Sequence, residues 1–298
     1  MRWLLLTLVL SSCAHAPPSN AESLEVDDGV RAMMVDAPAS DVAGKWRWYE
    51  QSHDAVLKRF HAAPSQIDPD EKLLTTIFSK PDALLATLAD FSDSAGTETK
   101  TLALKADAIC GPLPPLKISL GVSRSPEPVF HARDALFFNA RAPELSDAGA
   151  RRARIARELV LSAVSMREPA PLSSPFADAL FREGAAIFAA RQLLNGATET
   201  ELLGVDSGSL ELLRKRQALI AREALTAFDS AQPAQRARFF DPKVKDSIVP
   251  RGAGAFLADR VYQQLAVQLS SATRPLRLSG ADFQRRARAA LEELASNR

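Results

Sequence analysis

Cysteine and histidine are scarce in this chain. Two cysteines in 298 residues exclude a fold stapled by several disulfides. The four histidines are His15, His53, His61 and His131, so no pair of them stands on any helix after residue 131. A charge excess is also missing. Lys+Arg 37 against Asp+Glu 36 leaves +1, which gives no general attraction to nucleic acid or to anionic surfaces. Without a basic stripe interleaved with aromatics, nucleic acid is not expected as a partner. No G-x-S-x-G, Walker glycine loop or C-x-x-C is present. "RGAGAF" (Arg251 to Phe256) lacks the spacing of a dinucleotide fingerprint, and no two carboxylates are singled out for glycoside chemistry. Long apolar runs are lacking too: Trp3 to Leu10 is too short for a permanent transmembrane helix.

What is present is a globular composition, 46% hydrophobic and 24% charged, with apolar residues enough for a sizeable core. The opening "MRWLLLTLVLSSC" has the order of a targeting segment: Arg2, a short apolar run, small residues, then cysteine. L-S-S-C resembles a bacterial lipobox. It implies a signal peptide over residues 1–12, lipid attachment at Cys13, and a body anchored to a membrane by acyl chains. Ala14, standing where an aspartate would retain the protein at the inner membrane, implies the outer membrane of the cell envelope. Lipidation of Cys13 leaves Cys110 alone. As a nucleophile it would need a base, for which His131 is the candidate. As a buried structural thiol it needs none.

Residues 13–44 mix Pro, Ser, Asp and small side chains and read as a tether. From residue 45 to 298 the pattern is mainly helical. "KWRWYEQSHDAVLKRFHAA" places Trp46, Tyr49, His53, Val56, Leu57 and Phe60 on one stripe. Further helices are expected over 68–80, over 81–91 with Pro81 in the first turn, over 148–166, and over 176–194 with Gly196 as C-terminal cap. Others are expected over 209–228, over 254–269, and near the end with Ser279 as N-cap. Two short runs, "LKISLGVS" (Leu116 to Ser123) and "DALFFNA" (Asp134 to Ala140), have strand length and are bounded by breakers. The expected fold class is α+β, predominantly helical, with a small β-sheet.

The order of parts in the second half carries a resemblance. A strand "LKISLGV", a loop and a strand "ALFFNA" precede the helix with "RELVL". A second helix holds "FREGAAIFAA", and "VPRGAGAFLADRVYQQL" comes later. This is similar to the gluzincin-type zinc-dependent proteases of bacterial secreted proteins. In that family the first helix carries H-E-x-x-H, with two histidines placed one turn apart to reach one Zn²⁺ and a glutamate to activate its water. The second helix supplies a glutamate as third ligand. The resemblance implies a zincin-like domain, with Glu158 at the place of the general base and Glu183 at the place of the third ligand. Arg157 and Leu161 then stand where the histidines belong.

That departure decides the expected function. Neither arginine nor leucine has a lone pair to offer a metal. The expectation is a membrane-anchored lipoprotein with a catalytically inactive metallopeptidase-like domain, without cofactor or metal. It would act by binding a peptide or another envelope protein, or as a scaffold. Two alternatives stay open. One is an active metallohydrolase with an unconventional site at His131, Glu158 and Glu183. The other is a purely structural helical envelope protein, in which Ile155, Leu159 and Val160 face inward and Arg154 pairs with Glu158. On the first reading Arg157 bridges to Glu183 across a shared cleft. On the last it points to solvent, and Glu183 pairs with Arg182.

Overall fold

A computed structural model describes residues 25–60, 80–113, 115–123, 127–132, 134–168, 170–241 and 243–296. The lipobox, Cys13 and the helix expected over 68–80 lie outside the described residues, apart from Lys80. The fold is α+β and predominantly helical, with one small sheet. The helices are α1 (Val42–Ser52), α2 (Asp54–Phe60), α3 (Pro81–Cys110), α4 (Ala148–Arg167), α5 (Pro175–Leu193) and α6 (Glu199–Leu203). They continue as α7 (Ser207–Lys215), α8 (Gln217–Ala227), α9 (Pro233–Phe240), α10 (Ala253–Gln268) and α11 (Gly280–Ser296).

The ends of these helices follow capping chemistry. Asp147 accepts from the amide of Ala150 at the start of α4, and Ser174 from that of Ala177 at the start of α5. Ser279 caps α11 by accepting from Asp282. Two expected helices are broken. The stripe from Lys45 divides at His53, whose ring stacks on Tyr49 with centroids 4.6 Å apart. The helix expected over 209–228 divides at Arg216, where φ is −102° and ψ 9°. Gly196 is not the cap of α5, whose C-cap is Leu194; the glycine sits two residues on with φ 86°. The helix α3 runs far beyond the apolar stripe at 81–91. Ser, Thr, Asp and Gly dilute its middle, but Ala95, Thr99, Leu102, Ala103 and Ala106 are buried at helical spacing and hold it against the core.

The sheet has β1 (Glu25–Asp28), β2 (Lys117–Gly121), β3 (Val129–Ala132) and β4 (Ala135–Asn139), in the order β1-β2-β4-β3. β1, β2 and β4 are parallel, and β3 returns antiparallel on β4 with His131 opposite Leu136. The two expected strands are the inner ones, and β4 is buried at every position, as a strand covered on both faces must be. At Gly121 an added Cβ would fall 2.3 Å from the Tyr49 hydroxyl. The missing side chain lets α1 pack directly on the sheet, and the buried Tyr49 hydroxyl accepts from the amide of Val122.

The strands β1 and β3 correct the expected organisation. β3 lies in the stretch read as a polar loop. β1 lies in the stretch read as tether, and residues 25–44 belong to the fold. Val26 registers with Ile118, and Val30 and Met33 are completely buried. Asp28 accepts from Ser92 on α3 at 2.7 Å, and Lys45 donates to the carbonyl of Met34. The composition there is loop-like, but a few apolar side chains at strand and helical spacing reach the core, and a parallel edge strand leaves little trace in a sequence.

At the centre of the helical layer α5 packs along α4 on one side and α10 on the other. Phe176, Leu180, Phe181, Ile187 and Phe188 along it are all buried. Gly184 makes the approach to α10 possible: an added Cβ would lie 2.5 Å from the Tyr262 ring and 2.9 Å from the carbonyl of Ala258. One of these neighbours is backbone and cannot swing away. Gly184→Ala is expected to lose about 1–3 kcal/mol through overpacking, despite alanine's better helix propensity. A urea melt checks it, and an unchanged or raised midpoint would show that α10 can shift.

Candidate functional site

The site suggested by the sequence is built on α4. Leu159 and Val160 are buried, together with Ile155 one turn earlier, as an amphipathic helix requires. Arg157 lies partly buried at the edge of that face. Its Nη2 donates to Glu183 Oε2 on α5 at 2.8 Å, and its Nη1 donates to the carbonyl of Leu202 on α6 at 3.3 Å. The guanidinium therefore ties three helices at one point. Its side chain is 13% exposed and that of Glu183 33%. Arg182 does not compete for Glu183; it pairs with Asp178 and donates to the carbonyls of Glu168 and Ala170. Leu161, at the second expected ligand position, is partly buried and packs against the core.

Glu158 is turned elsewhere. Neighbouring residues on a helix are about 100° apart, so while Arg157 faces α5 and α6, the Glu158 carboxylate meets β3. It is buried, with Oε1 2.7 Å from Arg154 Nε and Oε2 3.1 Å from His131 Nε2. The contact with Arg154 is an ion pair, and Arg154 Nε and Glu158 Oε2 each lack an aligned hydrogen-bond partner. Burial pushes this carboxyl up, but Arg154, His131 and Arg157 together outweigh burial and hold it below the usual glutamate range. The Arg154–Glu158 pair expected from their spacing is present. The shared cleft expected between Glu158 and Glu183 is not how the two acids are used, since each is neutralised by its own arginine.

These residues do not fit a zinc ion. Arg157, where the resemblance would put the first ligand, is a guanidinium already bonded to Glu183, and Leu161, where it would put the second, is a hydrocarbon. The structure brings His131 and Glu158 together and leaves Glu183 with Arg157. Among the described residues, no three His, Cys, Asp or Glu side chains are grouped so as to hold a metal ion. Cys110 is buried and alone; burial pushes its thiol up to about 12, against the charges of Arg167 and Arg277. It has the environment of a structural thiol. His131, its candidate base, lies against Glu158 instead.

Two buried charge clusters went unread in the sequence. Arg151, 2% exposed, reaches Asp90, Ser94 and Glu98 on α3. Asp259 on α10 is fully buried; its Oδ2 accepts from Arg191 at 2.5 Å and from Gln263 at 2.7 Å, while its Oδ1 has no partner. Burial raises its carboxyl, and Arg191 and Arg260 offset this only in part. The signal was a lone acid in the apolar run "AFLADRVY", three residues from Phe256 and from Tyr262. The capping box Thr198–Glu201 that opens α6 was also readable as T-x-x-E. No family model, curated protein or solved structure matches the chain.

Proposed function

We propose that this chain is a lipid-anchored envelope protein whose domain has the layout of a zinc peptidase without its metal, and which acts by binding a peptide or envelope protein rather than by hydrolysis. One observation carries the reading: the side chain at the first ligand position, Arg157, is bonded at 2.8 Å to Glu183 at the third. A guanidinium supplies fixed positive charge and a forked pair of donors at the point where the resemblance puts a cation. It can hold two helices together, but it cannot polarise a carbonyl as a metal does or activate a bound water. Attachment at Cys13 is the part of the proposal that rests on the L-S-S-C motif alone.

A second reading is favoured by the His131–Glu158 contact: a hydrolase holding its metal through His131, Glu158 and Glu183. Zinc binding separates the two. Wild-type protein purified without chelators is expected to hold no stoichiometric zinc by elemental analysis. Arg157→His combined with Leu161→His is expected to take up one zinc per chain. Adding Glu183→Ala should then weaken that binding by more than the roughly 10–100-fold that loss of an outer partner costs. One tightly held zinc in the wild type would overturn the proposal in favour of the second reading. Zinc binding by the paired histidines that ignores Glu183 would show that α4 and α5 do not carry the peptidase layout.

A further inference from the structure

Arg141 takes part in none of the contacts described above. It follows β4 by two residues, at the end of the sheet where the parallel strands β1, β2 and β4 finish. The carboxyl ends of parallel strands are where open α/β sheets receive their ligands.

The backbone of Arg141 is fixed by Asn139, the last residue of β4, which is completely buried. Asn139 Oδ1 accepts from the amide of Arg141 at 3.3 Å and from that of Ser123, just past β2, at 3.0 Å. Its Nδ2 donates to the carbonyl of Glu127, just before β3, at 3.0 Å. One side-chain amide therefore clips together the chain leaving β2, the chain entering β3 and the chain leaving β4. The amide of Ala140 adds a bond to the carbonyl of Gly121 at 2.8 Å. A ligand arriving here has no backbone to order, which removes one cost of binding.

The Arg141 side chain is left without a partner. It is partly buried, and its Nη1 is shut off from solvent with no hydrogen bond. No side-chain hydrogen bond or ion pair joins the guanidinium to any described residue. Burial pulls its basicity down, and no other charge among the described residues acts on it. A guanidinium keeps its proton in a protein, so the charge stays. Buried charges are normally paired, and a buried donor without an acceptor marks a place where the chain itself does not supply the partner. Arg154, Arg157, Arg191 and Arg260 also have a buried Nε without a hydrogen bond, but each of them pairs with an acid. Arg286 shares the lack of an acid among the described residues, but it stands on α11, which packs among α5, α8 and α10.

We propose that Arg141 anchors a binding site for a carboxylate-bearing ligand at the carboxyl ends of β2 and β4. The fork of the guanidinium matches the two oxygens of a carboxylate, and the single charges cancel. A phosphate dianion would leave a charge over, with no second cation acting at this point to meet it. The proposal uses neither Arg157, Glu183 nor the lipid anchor, so it stands or falls apart from the reading above.

The test titrates the full chain calorimetrically with acetate, with N-acetyl-alanyl-alanine, with the C-terminal amide of that peptide and with inorganic phosphate. Acetate and the free-acid peptide are expected to bind, and the amide is not. Arg141→Lys keeps the charge without the fork and should weaken binding about tenfold or more, the loss of one charge-assisted hydrogen bond. Arg141→Met should abolish it. Arg286→Met, the same change at the other arginine without an acid, should leave it as it was. Acetate as tight as the peptide makes a bare carboxylate the ligand, and a tighter peptide makes it a chain terminus; both support the proposal. No binding of either carboxylate, equal binding of the amide, phosphate tighter than acetate, or binding that survives Arg141→Met would overturn it. A urea melt in carboxylate-free buffer gives a second readout. Methionine keeps the apolar stem and removes a charge that has no partner, so the midpoint of Arg141→Met should equal or exceed that of wild type. A lowered midpoint would show that Arg141 serves the fold, and would also overturn the proposal.

Discussion

Glu158→Ala is expected to lose about 3 kcal/mol of stability at neutral pH. The carboxylate is 5% exposed and lies between Arg154 and His131. Removing one partner of a buried pair leaves the other charge in a poorly solvated place, which costs about 3–5 kcal/mol when burial is complete. Arg154 is 27% exposed and has Glu144 3.9 Å away, so water and a second acid recover part of that loss. Glu158→Gln keeps the shape and removes the charge, and it separates electrostatics from packing. A glutamate held below its ordinary value of 4.5 contributes stability that is complete above that value. The contribution is lost as pH falls through the lower folded-state value. The gap between wild type and Glu158→Gln should therefore persist from pH 7 down to about 4.5 and close as the pH is lowered further. Urea melts across that range check it; a gap independent of pH would mean that Glu158 is held by its shape alone.

Arg157→Ala is expected to lose about 2 kcal/mol. A surface ion pair is worth under about 1 kcal/mol, and a fully buried one loses about 3–5 when broken. Arg157 is nearly buried and Glu183 is a third exposed, which places this pair between the two. Part of the loss comes from the carbonyl of Leu202, which gives up its donor. Arg157→Lys tests the fork: one ammonium cannot serve Glu183 and Leu202 in the same geometry, so lysine should recover less than half of the loss. Full recovery by lysine would mean that the charge alone matters.

The helices that frame this pair were legible because burial and helical period agree along them. In α4 and α5 nearly every expected inward residue is buried, and the inner strands β2 and β4 announce themselves as short branched and aromatic runs between breakers. The edges of the fold were not legible. β1 lies in a stretch of acidic and small residues whose pairing is made with a strand about ninety positions away, and no local pattern encodes such a partner. The breaks at His53 and Arg216 come from tertiary packing that overrides a continuous stripe. At the candidate site, Arg157 and Glu183 could be matched only through the resemblance, which sets the residues of two short motifs opposite one another. The direction of Glu158 could not be matched in the same way. It depends on β3 carrying His131 past α4, and β3 was hidden in a polar loop.

The most direct test of the account is the double-mutant cycle across α4 and α5. Urea melts of wild type, Arg157→Ala, Glu183→Ala and the double variant give the free energy carried by the contact itself. A coupling of about 1–2 kcal/mol is expected, with the double variant losing clearly less than the sum of the single losses. Losses that add to within about 0.5 kcal/mol would contradict it. The guanidinium would then not tie the helices, and the frame of R-E-L-V-L would be a coincidence of helix composition.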